Sequence, residues 1–153
     1  MGEMIQIFCK DCKYREGFSL GVGMLYHSLE NVLDEVPPTN RKEIKSIIHN
    51  NEVLEEGGCH TLFRCIKCNA LYERFHVKIE YKTNNGEKRM YETHHFCSTC
   101  HSELVPVNTS EEDEEDEEDY RGDHEILAPF VAQLQCPKCA KKFLAIENMG
   151  YWD

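Results

Sequence analysis

Four Cys-x-x-Cys pairs, Cys9/Cys12, Cys65/Cys68, Cys97/Cys100 and Cys136/Cys139, constrain this 153-residue chain more than any other feature. Each lies among short apolar or aromatic stretches, such as Ile7-Phe8 before Cys9 and Phe96 before Cys97. That pattern is expected of metal knuckles, tight turns between strands whose backbone amides point at two thiolates. Two facing knuckles supply the four sulfurs of a tetrahedral zinc site, each about 2.3 Å from the ion. Because the spacing recurs four times, all eight cysteines are expected to ligate two Zn²⁺ ions in two closed sites.

Size supports the same reading. The chain divides into pieces of about forty to sixty residues, too small to rely on apolar burial alone. A structural zinc contributes on the order of 10–16 kcal/mol of apparent folding free energy in small modules, so zinc removal is expected to unfold at least part of the protein. The fold class expected is a small, metal-stabilised α+β protein: two zinc ribbons with a two-helix insertion.

Compartment follows from what surrounds the cysteines. No stretch reaches the ~18 apolar residues of a membrane span, and Met1-Gly2-Glu3 does not resemble a secretory signal. Gly2 invites a myristoylation reading, but Gln6 stands where that motif needs Ser or Thr. Knuckle spacing without a signal peptide points to reduced thiols and a cytoplasmic location. The formal net charge is −11, and nine of those charges form the unbroken acidic run at 111–119. The remainder of the chain is therefore only mildly acidic; two Zn²⁺ on eight thiolates would make it more negative.

Along the chain, residues 4–8 and 14–20 read as strands flanking the first knuckle. Leu25, Leu29, Val32, Leu33 and Val36 recur at helical spacing until Pro37-Pro38. A second helix is predicted to open with Asn40 as N-cap and Glu43 three residues on. Its apolar face would be Ile44, Ile47 and Ile48, joined by Val53 and Leu54, and Gly57-Gly58 would close it. From Thr61 the period changes to two: Phe75, Val77, Ile79 and Tyr81 share one face. Asn84-Asn85-Gly86 signals a hairpin turn, with 88–96 as the returning strand and 102–107 as an exit strand. Residues 109–125 read as a solvated acidic loop, 126–135 lead into the last knuckle, 142–146 leave it, and Trp152 is expected to dock on a ribbon face.

Two pairings of the knuckles satisfy the ligand count. A sequential scheme joins the first to the second and the third to the fourth. It is preferred because, without the acidic loop, the third and fourth are an ordinary ribbon gap apart. It divides the chain into an N-terminal ribbon, 1–95, carrying the helical insertion (about 21–56) and a long hairpin (about 71–95), and a C-terminal ribbon, 96–153. A nested scheme joins the second to the third and the first to the fourth, and the turn at Asn84–Gly86 argues for it by returning Cys97 toward Cys68.

The combination of these knuckles with Leu20-Gly21-Val22-Gly23-Met24-Leu25-Tyr26 and a closing Trp152-Asp153 resembles a group of small bacterial zinc-ribbon proteins. The likeness covers most of the chain, the acidic run being a departure from it. It implies the ribbon fold and brings no activity with it.

Rival chemistries carry less. Thioredoxin-like redox work needs a Cys-x-x-Cys at a helix N-terminus, whereas these pairs sit between strands. Iron fits four sulfurs as well and is the minor alternative to zinc. Catalytic zinc keeps an open position; eight paired cysteines leave none, unless His94, His95 or His101 replaces one. Cys59 beside His60 is a spare or buried thiol before it is an activated one, and Gly21-Val22-Gly23 is a strand-to-helix corner before it is an anion site. The basic face of Arg74, His76, Lys78 and Lys82, with Lys88 and Arg89 near the turn, is the candidate nucleic-acid contact, diluted by Glu73, Glu80, Glu87 and Glu92. The acidic run could block that face in cis, engage a basic protein partner or simply aid solubility. The function expected is a non-enzymatic double ribbon that recognises another macromolecule, a protein first and nucleic acid as the alternative.

Overall fold

The computed structural model describes residues 2–23, 28–107 and 123–153. The described chain is a small α+β fold of two antiparallel sheets and three helices. Strands β1 (Gly2–Cys9), β2 (Arg15–Leu20) and β7 (Leu144–Trp152) form one sheet in the order β2-β1-β7. Strands β3 (Glu52–Arg64), β4 (Leu71–Lys82), β5 (Lys88–Glu92) and β6 (Val105–Pro106) form the other, ordered β5-β4-β3-β6.

The first sheet joins the two ends of the chain. Ile7 lies opposite Glu16 on one side and Ile146 on the other. Alternation along β1 turns Glu3, Ile5, Ile7 and Cys9 inward, where the apolar members pack with Phe18, Leu20 and Leu144 and with Leu127 and Val131 of α2 (Asp123–Val131). Glu3, only 3% exposed, sits in that apolar row. Its carboxylate is satisfied by the His124 backbone amide at 3.0 Å, the His124 imidazole at 2.5 Å and the Asn148 amide group. A strand carboxylate thus takes up a free amide at the N-terminus of α2. This helix lies where the sequence shows only a lead-in to the last knuckle.

The second sheet is dominated by the β3–β4 hairpin, paired from Glu52↔Lys82 to Arg64↔Leu71. Phe75, Val77 and Ile79 pack beneath the helical segment against Leu29, Leu33, Val36, Ile44 and Ile47. The turn into β5 forms as expected: Gly86 has φ +84° and donates to the Thr83 carbonyl at 2.8 Å.

The helical segment departs from the expected boundaries. Its first part is a 3₁₀ helix, Leu29–Glu35; Leu25 lies outside the described residues. Pro37 and Pro38 hold Val36 and Pro37 extended, because a residue before proline disfavours the α region. Helix α1 (Pro38–Asn50) then starts with a proline in its first turn, where the missing N–H costs nothing. Asn40 is therefore inside the helix rather than its cap, and its amide donates to Tyr91 Oη at 3.0 Å. Val53, Leu54, Gly57 and Gly58 belong to β3, not to the helix. Gly58 fits mid-strand because a Cβ there would meet the Phe75 ring at 2.9 Å. The exit strand shrinks to the two residues of β6 and a bridge between Phe96 and Glu103. The acidic run at 111–119 lies outside the described residues.

The sheets are tied together. Gly21 and His60 form an antiparallel bridge, the Ser19 amide donates to Glu73 Oε2 at 2.6 Å, and Trp152 Nε1 donates to the Leu20 carbonyl at 3.2 Å. The Trp152 ring meets His60 edge-on, so the terminal aromatic docks as expected. Gly23 is required beside it: a Cβ would sit 2.8 Å from the Asp153 carbonyl carbon. Gly21, with its amide engaged by His60, has a structural task and not that of a free anion donor.

Candidate metal centres

Each knuckle is built by the same local hydrogen bonds. The amide of the leading cysteine donates to the carbonyl five residues on: Cys9 to Tyr14, Cys65 to Ala70, Cys97 to Ser102 and Cys136 to Lys141, at 2.8 to 3.0 Å. In three of them the residue after the second cysteine adopts the left-handed region, with φ 60° at Asn69, 58° at His101 and 59° at Ala140. There its amide returns to the carbonyl of the leading cysteine. The turn directs both thiols to one side, and amides further along it approach sulfur, Tyr14 N at 3.4 Å from Cys12 Sγ and Lys138 N at 3.4 Å from Cys136 Sγ.

The eight thiols assemble into two groups, Cys9, Cys12, Cys136 and Cys139, and Cys65, Cys68, Cys97 and Cys100, each with all sulfurs within 4.8 Å of one another. The pairing is nested, which corrects the sequential preference. The physical reason is the strand order: β1 pairs with β7 and brings the first and last knuckles together, while the β3–β4 hairpin and its continuation through β5 return Cys97 to Cys68. The halves of each group therefore come from opposite sides of residues 95/96.

The donor sets fit a metal ion. Four sulfurs about 2.3 Å from one tetrahedral centre lie about 3.8 Å apart. Cys9 and Cys139 sulfurs are 3.7 Å apart and Cys12 and Cys136 3.6 Å; in the second group Cys65 and Cys100 are 3.3 Å apart and Cys68 and Cys97 3.5 Å. These are far beyond the ~2.05 Å of a disulfide, and all nine cysteines are free. Within each group the first cysteine of a pair is buried and the second partly exposed.

Electrostatics distinguishes the thiols. The Cys97 thiol is held down to about 5, chiefly by the Tyr72 hydroxyl 3.2 Å away and then by the backbone amides of Cys100 and Thr99. Burial acts upward on Cys9, but amides of Asp11 and Cys12 and the neighbouring thiols outweigh it and bring Cys9 to about 7. Cys12 is pushed up to about 12 by burial and by the adjacent sulfurs, and Cys68 to about 12 by its neighbours Cys65 and Cys97 against the Ala70 amide. One sulfur of each group thus favours the thiolate while another keeps its proton, as crowded thiols must.

The histidines expected near the knuckles stand outside both groups. His94 Nδ1 pairs with Glu103 at 2.6 Å, His101 is exposed, and His95 is buried beside Thr93. Cys59 is exposed, with Sγ 3.3 Å from Thr61 Oγ1, while His60 turns to Glu73, its Nδ1 3.0 Å from Oε1.

The proposed nucleic-acid face is interlaced with carboxylates. Lys78 lies 3.9 Å from Glu92, Lys88 3.3 Å from Glu80 and Arg89 2.9 Å from Glu87, while the Arg74 guanidinium covers the Tyr72 ring at 4.8 Å. Lys82 is exposed at the end of β4. His76 corrects the expectation of a surface contact: it is 8% exposed, 2.7 Å from Glu92 and 3.1 Å from Thr93 Oγ1, with the Phe63 ring edge-on to both it and His95. Strict alternation put His76 outward with Lys78; contacts with Thr93, Phe63 and His95 bury it. Tyr72 also escaped the sequence reading, its only signal being an aromatic hydroxyl four residues beyond Cys68.

No helix among the described residues is long and apolar enough to cross a membrane. Comparison of the chain with protein-family models, curated proteins and solved structures found no match, so the resemblance to bacterial zinc ribbons rests on its motifs alone.

Proposed function

We propose that this chain is a non-catalytic, zinc-stabilised double ribbon that presents its surface to another macromolecule. The observation that supports it is the closure of both donor sets: four sulfurs at tetrahedral separations leave no position for a reacting water. When bound, the metal supplies charge neutralisation and a crosslink between distant parts of the chain. Cys9, Cys12, Cys136 and Cys139 would fasten the two termini, and Cys65, Cys68, Cys97 and Cys100 the long hairpin to its return. Zinc is favoured over iron because it asks for no redox partner, and nine free thiols suit a reducing, cytoplasmic setting. The acidic run at 111–119 fits a basic protein partner by charge.

Metal content and reactive thiols measured on one purified, reduced sample test the scaffold. Two zinc ions and one reactive thiol, Cys59, are expected. One metal with several reactive thiols would overturn the closed-site reading and return redox or catalytic chemistry to the field.

A further inference from the structure

The two knuckles of the first group carry an excess of cations. Lys10 and Lys13 on one, and Lys138, Lys141 and Lys142 on the other, are all exposed. The Lys10 amide donates to the Phe143 carbonyl at 2.9 Å, so both segments share one tip of the ribbon. Lys141 is held by Asp11 at 2.6 Å; Lys10, Lys13, Lys138 and Lys142 have no carboxylate partner among the described residues. The corresponding positions of the second group, Ile66, Asn69, Thr99, Ser102 and Glu103, contain no lysine. The first tip therefore concentrates positive charge on a chain whose net charge is −11.

An aromatic ring accompanies it. Phe143 is 50% exposed beside Lys142, on backbone fixed by the Lys10 bond and by the Cys9↔Leu144 register. A rigid, open ring among lysines supplies both halves of single-strand recognition, a charged track for the backbone and a face for a base. An acidic peptide would meet the charge but has less use for the ring, and carboxylates favour the arginine fork over lysine. Lysine serves phosphate as a point charge.

We propose that this knuckle tip binds single-stranded nucleic acid, with Lys10, Lys13, Lys138 and Lys142 along the phosphates and Phe143 stacked on a base. The assignment rests on the first group being a closed metal site, and the test separates the two. The full-length, zinc-loaded chain is titrated into a fluorescein-labelled oligothymidylate of about 20 nucleotides across a salt series, with zinc content measured for every variant. Replacing the four lysines by glutamine should lower affinity and reduce the slope of log K against log salt by about 3, at about 0.7 per phosphate contact. Phe143→Ala should cost about tenfold with the slope unchanged. Absent binding at low salt by a protein holding two zinc ions overturns the proposal and leaves the scaffold standing. So does a four-lysine variant of unchanged affinity, or one that loses zinc, since the lysines would then serve the thiolates. Polyglutamate of equal length competing as well as the oligonucleotide would assign the tip to acidic protein and also overturn it. A wild-type chain without two zinc ions would fail the scaffold reading instead.

Discussion

Tyr72 Oη lies 3.2 Å from Cys97 Sγ, within hydrogen-bond reach, extending from the first residues of β4 to the third knuckle. Because the hydroxyl is the largest influence holding that thiol near 5, Tyr72→Phe raises it, and protons compete with metal at higher pH. The sign follows from the depressed value: the thiolate form is present above it and lost as pH falls through it. Outer hydrogen bonds to ligands are worth about 10–100-fold in metal affinity. Chelator competition should show that loss at one of two sites, with release on acidification starting at higher pH. Two sites behaving as in wild type would remove Tyr72 from the metal's surroundings.

The nested pairing makes a sharp stoichiometric prediction. Cys12→Ser with Cys139→Ser damages one group and should leave one metal per chain, whereas Cys12→Ser with Cys68→Ser damages both. Sequential pairing predicts the reverse. Cobalt substitution, read by its thiolate charge-transfer absorption, decides between them.

Burial of His76 and His95 predicts acid sensitivity in the second sheet. Desolvation is the leading cause lowering both, with Glu92 opposing it at His76 and His95 brought to about 4. The unfolded chain takes up these protons near the ordinary value of about 6.5. The stability they contribute is therefore fully present above that value and lost as pH falls through the folded values. Denaturant midpoints of zinc-loaded wild type and His76→Gln at pH 7.5 and 5.0 check this: the variant should lose less between the two. Equal losses would mean that His76 does not carry the effect.

Trp152 packs against the start of β1 and the end of β2. A Cβ on Gly2 would collide with its indole, and its Nε1 donates to Leu20. Trp152→Ala should cost about 2 kcal/mol, below the ~3–5 of a fully buried aromatic because the residue is only partly buried. Gly2→Ala should destabilise by forcing the same ring to move. Thermal denaturation at saturating zinc measures both, and a Gly2→Ala protein of wild-type stability would mean that the ring is not held there.

What the residues settle by themselves is local chemistry. Cys-x-x-Cys spacing names every sulfur of both groups because a knuckle is closed by bonds spanning five residues. Asn84-Asn85-Gly86 turns because only glycine adopts its positive φ cheaply. The strand of Phe75, Val77 and Ile79 is legible from alternation, as one apolar face must be covered. The errors arise where a local signal has a distant cause. Gly57-Gly58 reads as a break, yet Phe75 on the neighbouring strand needs the space at Gly58. Asn40 reads as a cap, yet the preceding prolines start α1 earlier. Helix α2 has no legible beginning, because the acceptor for its first turn is Glu3, 121 residues before His124. Which knuckles come together was decided the same way: each four-sulfur group draws on segments far apart in the chain, and only the pairing of β1 with β7 and of β3 with β4 brings them within reach.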